Sequence, residues 1–499
     1  MSSTTSYFQY QSPRTNYAGL NENISSDVCI IGAGVVGTTL AFLLKDSGKS
    51  VTLLEARTIG SGTTGHSTAK LTTQHGLIYS FLTRHKTGED ARRYFEMNQA
   101  ALEFCASLDI ECDLFRKSHT VFTALADEVD NIQTEYEACC SLGIPCRLAT
   151  RAELEAEIPM DAICGVTFEN QIEFNPVKYC QELARLVKES GSQVYEHTRV
   201  VDVKEDETSN RVVLENGFIV DAKFVVVATH LPILDRSLHF SLFVPSRSHC
   251  IAVEVESSPV SNMFIRVEDP KRSIRSVQGT NVLIIAGNTL PQGEGSSLNA
   301  YQDLEHFART HYAVKNVVAR WSAVDFMSSD RLPSVGYLHN KSNTVLTAVG
   351  FNKWGLSTGI AAGMTLKNLI MGIHDPYLNL IDSKRWDLLG AVKENIHVGR
   401  HLVQDKLHEV LHELRPEAIS LGGGDVGRFG AHVIGVHKNE QGQLLAIKPT
   451  CTHLGCTLKF SDGDREWHCP CHGSVFDTQG NVMHGPAVKG LRELNIDEW

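Results

Sequence analysis

Long apolar runs are missing from this 499-residue chain. No stretch approaches the ~18 uninterrupted apolar residues of a membrane-spanning helix, so no membrane span is expected. Basic runs are missing too. With a formal charge of −12, the chain lacks the clustered Lys and Arg that meet phosphates, which excludes nucleic acid as a partner. The first 25 residues, rich in Ser, Thr, Asn and Tyr, have neither the basic start nor the apolar core of a secretory leader. A cytoplasmic location is the expectation. Of the 13 cysteines, nine have no framework spacing (Cys29, Cys105, Cys112, Cys139, Cys140, Cys146, Cys164, Cys180 and Cys250) and read as small buried hydrophobes. What remains is ordinary globular composition, 42% hydrophobic and 21% charged, at a length that suits two or three domains.

The four other cysteines lie in two boxes near the C-terminus, Cys451-Thr-His453-Leu-Gly-Cys456 and Cys469-Pro-Cys471-His472-Gly-Ser474. Each box offers a thiolate and an imidazole with one or two residues between them. Such a set suits a [2Fe–2S] cluster in which His replaces Cys on one iron. The same ligand types serve a Cys2His2 zinc site, but zinc needs neither the extra cysteine in each box nor the serine after the second. Over about the last 85 residues the pattern resembles high-potential Rieske domains. The resemblance implies Cys451 and Cys469 on one iron, His453 and His472 on the other, and a Cys456–Cys471 disulfide over the cluster. It makes Gly485-Pro486-Ala487 the covering loop and Ser474 a hydroxyl donor to a bridging sulfide. Phe476 stands where respiratory members have a tyrosine donor, so a lower potential is expected. Such a disulfide would be unusual in a reducing compartment.

At the other end, Asp27 to Ile31 reads as a buried strand running into Gly32-Ala-Gly34-Val35-Val36-Gly37 and a helical pattern to about Ser47. A second strand, Ser50 to Leu54, ends at Glu55, followed by Ala56 and Arg57. Strand, glycines, helix and acidic residue together form a dinucleotide fingerprint. The glycines let backbone amides approach a pyrophosphate at the helix N-terminus, and Glu55 can accept from a ribose hydroxyl. Gly422-Gly-Gly424-Asp-Val-Gly427 fits the same spacing without a preceding strand and reads as a loop, leaving no convincing second nucleotide site.

Residues 26–375 resemble the D-amino-acid oxidase/glycine oxidase-like flavoproteins. The resemblance rests on Val28 to Glu55, Gly60 to Lys70, Asn175-Pro176, Val225 to Thr229 and Gly350 to Thr358. It implies FAD as cofactor, with Thr63, Thr64, Ser67, Thr68 and Lys70 passing the flavin ring, and Val200 by the adenine. Ala228 and Thr229 belong to the same site, and Gly350, Lys353, Trp354, Gly355, Leu356 and Ser357 hold the ring's pyrimidine end before a helix Ile360 to Ile370. His230 departs from the glycine usual after Ala-Thr. The implied fold is an α/β FAD-binding domain of glutathione-reductase type, interleaved with an α+β antiparallel-sheet substrate domain, plus a small all-β Rieske domain.

The expected division is a tail over 1–25, a flavoprotein over 26–380, a helical linker over 381–414 and the Rieske domain over 415–499. Within the flavoprotein, the FAD-binding parts are 26–110, 163–235 and 320–375, and the substrate lobe is 111–162 and 236–319. Helical periodicity marks Glu89 to Leu108, Asp127 to Leu142 and Pro176 to Ser190. Asn216-Gly217 signals a hairpin, and Val244 to Val255 and Val282 to Ala286 fit the sheet roofing the flavin. In the linker, Trp386, Leu389, Val392, Ile396, Val403, Leu407, Val410 and Leu414 recur at helical steps beside His397, His401, His408 and His412.

Amino-acid-oxidising relatives place an arginine against the substrate carboxylate; the aligned position here is Asp325. A carboxylate there favours an amine-like, non-carboxylate substrate, with Asp325 orienting it or acting as base. Lys70 as a cation at the ring and Trp354 as a wall complete the candidate catalytic set, with His66, His75 and His230 at the same junction. The expected activity is FAD-dependent dehydrogenation of a small amine-like or amino-acid-like substrate. Electrons then pass singly through the cluster to an external one-electron carrier. The alternative is an electron-transfer module or redox sensor without turnover of its own.

Overall fold

The computed structural model describes residues 5–206, 209–234, 242–256, 260–385 and 411–495. The linker positions Trp386 to Val410, with His397, His401 and His408, lie outside the described residues. His412 and Leu414 lie inside them and are not helical: Glu413 bridges to Arg428, and Leu414 is buried. The helical expectation does not hold at these two positions.

Ile24–Ile31 is the central strand of an eight-stranded sheet, flanked in parallel by Val51–Leu54 and Ile219–Val227. Gln193–Tyr195 and Val345–Val349 extend the parallel set on the two sides. Val28 to Ile31 are continuously buried because both faces are covered, Val28 and Ile30 by helices and Cys29 and Ile31 by Val200, Val203 and Val212, which explains their unbroken apolar run. Val35–Leu44, Pro176–Glu189 and Gly355–Met371 lie together on it. Asn175 caps the second of these, its side chain accepting from the amides of Val177 and Lys178. The third begins at Gly355, a turn and a half before its expected start at Ile360.

The second layer is a nine-stranded, mainly antiparallel sheet. Its order is Val314–Met327, Val244–Val255, Val282–Pro291, Arg272–Ser276, Met263–Arg266, Phe115–Thr123, Cys164–Glu173, Lys70–Leu71, with Arg147–Thr150 beside Cys164–Glu173. Cys164–Glu173 and the second half of Val314–Met327, from Arg320 on, thus join the sheet of the substrate lobe, where the expected boundaries at 163 and 320 assign them to the FAD-binding parts. The segment set apart as a tail is also integrated. Ser6 caps a short helix, Tyr7–Gln11, whose Tyr7 and Phe8 are buried, Phe8 edge-on to Trp321.

The C-terminal domain is two four-stranded antiparallel sheets. One contains Gly424–Phe429, His432–Lys438, Leu444–Ile447 and Glu493–Leu494; the other contains Lys459–Ser461, Glu466–His468, Val475–Phe476 and Val482–His484. The second GxGxxG is therefore half strand, Gly424 to Gly427 pairing antiparallel with Ile434 to His437. Gly424 faces the Phe460 ring, which a Cβ would strike at 2.6 Å, so its glycine serves packing.

This domain is docked through a buried carboxylate. Asp464, 3% exposed, accepts from Tyr301 Oη at 2.6 Å, Ser322 Oγ and Ser297 Oγ at 2.9 Å, and Arg247 Nη1 at 3.2 Å, all on the larger unit. Ser461 of its own domain adds a contact at 2.8 Å. Burial alone would raise its pKa; Arg247, then His468, His249 and Tyr301, outweigh this and hold it far below the carboxylate range. Asp464, Glu466 and His468 converge like metal ligands, but Arg247 lies among them, 3.2 Å from Asp464 and 3.8 Å from Glu466. Nearby, Gly293 abuts Pro470, and Gly473 abuts Phe326 and Pro245, so closely that a Cβ at either would lie about 3.1 Å from its neighbour.

Asp464→Ala leaves Arg247 buried without this partner, a change that costs roughly 3–5 kcal/mol in comparable sites. In denaturant the C-terminal domain of this variant should unfold separately from, and before, the larger unit. The depressed pKa adds a sign: Asp464's contribution is complete above the unfolded carboxylate pKa and is lost as pH falls through the folded one.

Candidate functional site

One cavity of about 740 Å³ runs between the two large sheets. Its floor is the fingerprint. Gly32 has φ of 101°, and a Cβ there would come within 2.6 Å of Ala228 O. At Gly37 a Cβ would fall 1.9 Å from Gly32 O, so this glycine permits the helix to approach the turn. Gly34, Val35, Val36, Glu55, Ala56 and Arg57 line the cavity, as do Thr63, Thr64, Ser67, Thr68, Lys70, Val200, Ala228, Thr229, Lys353, Trp354, Gly355 and Leu356. Glu55 is held in place by the amides of Ala33, at 2.8 Å, and Arg57, at 2.9 Å.

Of the expected flavin-binding residues, Gly37, Gly350 and Ser357 are not on the cavity wall. Gly350, with φ of 78°, turns the chain beneath the Phe243 ring, and Ser357 bonds His75 Nε2 at 2.9 Å. His75 in turn stacks on Trp354 with centroids 4.6 Å apart, so Trp354 both packs and walls the cavity. Burial pushes the His75 pKa down to about 3, leaving a neutral ring.

Lys70 lies in the sheet with its Nζ donating to Phe264 O at 3.3 Å. Burial, then the charge of Arg275, pushes its pKa well down. An anion facing it would favour its charged form.

Asp325 is on the cavity wall, but its oxygens are engaged. Oδ1 accepts from Phe326 N at 2.8 Å and faces His230 Nε2 at 2.9 Å, and Oδ2 accepts from Lys353 N. Asp325 thereby ties the Gly350–Trp354 turn and His230 to the sheet, and its expected part as base or anchor would have to operate from within these contacts. Other cations on the wall, Lys271, Arg266, Arg272 and Arg331, are contributed by segments that no motif marks, and Lys353 comes from the Gly350 to Thr358 stretch. Lys353 is pushed down to about 8, by burial first, with Asp325 opposing.

The C-terminal domain contributes Met483, His484, Gly485, Ala487 and Val488 to the same wall. Gly485 and Ala487 belong to the loop expected to cover the cluster; Met483 and His484 end the strand before it, and Val488 follows it. Behind it, Cys451, Cys469 and His472 are buried, and the His453 and His472 rings stand perpendicular with centroids 5.0 Å apart. Cys456 and Cys471 are joined as a disulfide, leaving two thiols and two imidazoles. Amides of His453 and Leu454 and the Ser474 hydroxyl are directed at the Cys451 sulfur, and amides of Cys471 and His472 at that of Cys469. Such donors around paired sulfurs fit an iron–sulfur cluster better than a bare zinc ion. Ser474 Oγ accepts from Ala487 N at 3.0 Å, which fixes the covering loop.

Residues 27–369 match the family described as FAD dependent oxidoreductase, and residues 412–495 the Rieske [2Fe-2S] domain. The chain belongs to the FAD-dependent oxidoreductases. It carries a C-terminal Rieske domain, and its cofactors are FAD and a [2Fe–2S] cluster. A Putative Rieske 2Fe-2S iron-sulfur protein of Bacillus subtilis, YhfW, is 29% identical over 98% of this chain and 97% of its own. Among solved structures, glycine oxidase from Geobacillus kaustophilus matches with a TM-score of 0.62 at 19% identity, covering 73% of this chain and all of its own. L-proline dehydrogenase from P. horikoshii matches at 0.58 and 18%, covering 73% and 98%. These likenesses establish the fold of the flavoprotein part. Among the described residues no helix is long and apolar enough to cross a membrane.

Phe476, fully buried against the cluster box, offers no hydroxyl. Phe476→Tyr should raise the cluster midpoint by about 40 mV, the equivalent of one net hydrogen bond of about 1 kcal/mol. A redox titration of both proteins checks this.

Proposed function

We propose that this oxidoreductase dehydrogenates a small amino-acid-like or amine-like substrate and passes the electrons singly through the Rieske domain to an external one-electron carrier. The observation that carries this reading is the shared wall: the loop Met483–Val488 of the Rieske domain closes the cavity whose floor is the dinucleotide fingerprint. FAD, when bound, supplies the two-electron acceptor that can also release electrons one at a time. Gly32, Gly34, Glu55 and Arg57 would hold its nucleotide half, and Thr63 to Lys70 with Lys353 to Leu356 its ring. Cys451, Cys469, His453 and His472 would hold the cluster. Were oxygen the intended oxidant the cluster would be superfluous, which favours a dehydrogenase.

The chain's own groups set the substrate end. With Asp325 occupied by backbone donors and His230, the wall around it is cationic: Lys70, Lys271, Lys353, Arg266 and Arg331. That balance supports the amino-acid-like half of the expectation, with a carboxylate to recharge Lys70 and pair with Lys353. The Rieske domain is held by Asp464 instead of swinging, so the carrier must come to it. The first box offers the exposed Thr452 and the 44% exposed Leu454 for that purpose.

Anaerobic mixing with a panel of amines and amino acids is the test. Bleaching of the flavin followed by the reduced Rieske spin signal supports the dehydrogenase. Bleaching by NADH alone would indicate an electron-transfer module, and no response to any donor a sensor. With a carboxylate substrate, KM should rise as pH passes about 8 and Lys353 loses its charge. Lys353→Met should raise KM about tenfold at neutral pH, the loss of roughly one charge-assisted hydrogen bond, and abolish that pH dependence.

A further inference from the structure

His230 occupies a backbone position made for glycine. Its φ is 71°, in the left-handed region where a side chain is disfavoured. A residue kept there against that preference points to work done by its side chain. The imidazole reaches across the domain boundary: its Nδ1 lies 3.2 Å from His484 Nε2 of the Rieske domain, and its Nε2 lies 2.9 Å from Asp325 Oδ1. His484 Nδ1 lies 2.9 Å from Gly485 O, at the start of the cluster-covering loop.

Counting protons along this row gives an odd result. The two outer contacts end on oxygens that only accept, a carboxylate and a carbonyl, so each takes one imidazole N–H. Two neutral rings have one N–H each. The middle contact then sets two bare nitrogens 3.2 Å apart. The Thr63 hydroxyl, 3.2 Å from His230 Nδ1 and 3.3 Å from His484 Nε2, can donate into that gap, and it lies equally 3.3 Å from Val324 O. The row therefore has two complete arrangements. In one, both rings are neutral and Thr63 donates between them. In the other, a third proton sits on His230 Nδ1 and makes an N–H···N bond, while Thr63 turns to Val324 O and the Asp325 carboxylate balances the charge.

We propose that His230 and His484 hold one exchangeable proton at the boundary between the flavin cavity and the cluster cover, taken up when an electron reaches the cluster and released when it leaves. The step balances as one electron from the reductant plus one proton from water, the proton forming the His230 Nδ1–H bond. In turnover the reductant is the reduced flavin of the proposed function, on which this inference rests for its physiological meaning alone. The path is continuous in the chain: Asp325, His230, His484, the Gly485–Ala487 loop, then Ser474 Oγ through Ala487 N at 3.0 Å, and Cys469 N donating to Ser474 O at 2.8 Å. The extra proton belongs on the ring that contacts the Asp325 carboxylate, His230; burial and then the charge of His230 push His484 down to about 3. The other charged or titratable groups facing the pair are Arg57, Arg247, Glu466 and His66 on one side and Lys353 beyond Asp325. Phe326 packs edge-on to His230 with centroids 4.8 Å apart and shields the row.

The test is a redox titration of the cluster in the full-length, cofactor-loaded protein. Dithionite serves as reductant and the Rieske spin signal is followed from about pH 5 to about pH 9. Because the reductant is chemical, failure to find a substrate does not affect the outcome. One proton per electron makes the equilibrium tenfold per pH unit, a midpoint slope of ~59 mV. That slope is expected over part of the range in the wild type and absent there in His230→Gly, whose backbone conformation glycine adopts freely, and in His484→Gln. Asp325→Asn should shift the sloping range to lower pH, because the anion that favours the imidazolium is gone. Any response common to all variants belongs to other groups. Identical curves for the wild type and His230→Gly overturn the proposal, and so does a wild-type curve retained by His484→Gln.

Discussion

A single carboxylate closes the molecule. Asp464 leaves the Rieske domain and ends among Arg247, Tyr301, Ser297 and Ser322 of the flavoprotein, where it accepts from all four. A buried charge is stable only when its partners are complete, and these partners are complete only when the two domains are docked. The contact therefore acts less as added affinity than as a constraint on geometry. Undocking would strand a carboxylate on one side and leave Arg247 with Gln292, Ser322 and solvent on the other. The close approaches of Gly293 to Pro470 and of Gly473 to Phe326 would be lost with it.

That constraint gives the cavity its wall. The strand pair Val475–Phe476 and Val482–His484 is continuous with the sheet that carries Asp464 and its neighbour Glu466. Fixing one end of this small sheet fixes the loop that follows the other. Met483 and His484 then face the flavin cavity, while Ala487 is held to Ser474 beside the cluster box. A domain that swung between partners could not keep these relations, and the row of histidines would exist only intermittently.

Local chemistry was legible in the sequence and contacts between distant segments were not. The fingerprint could be read because strand, glycines, helix and Glu55 are consecutive and each has a steric or charge reason. The cluster boxes could be read because ligand chemistry demands those residue types at short spacing. Asp325 was legible as an anomaly but not in its contacts. Its partners, His230 and Lys353, lie 95 and 28 residues away, beyond the reach of any local pattern. His230 and His484 are 254 residues apart and mark no motif; the one available signal was histidine where the flavoprotein relatives carry glycine. The lobe boundaries at 163 and 320 failed for a related reason. Strands such as Cys164–Glu173 and Val314–Met327 are assigned to a sheet by their partners, and apolar runs suit either sheet.

The same docking decides which side of the cluster can serve an outside acceptor. Pro470 and Gly473, within the second box, are pressed against Gly293, Phe326 and Pro245, and His472 between them is 2% exposed. The covering loop faces inward, toward the cavity. Of the segments around the site, the first box remains, with His453 half-buried, Thr452 exposed and Leu454 apolar and open. The second box is thus covered by the flavoprotein, while the first is open at Thr452 and Leu454. Under the proposed function an external carrier would meet the first box and need not compete with the flavoprotein for one face.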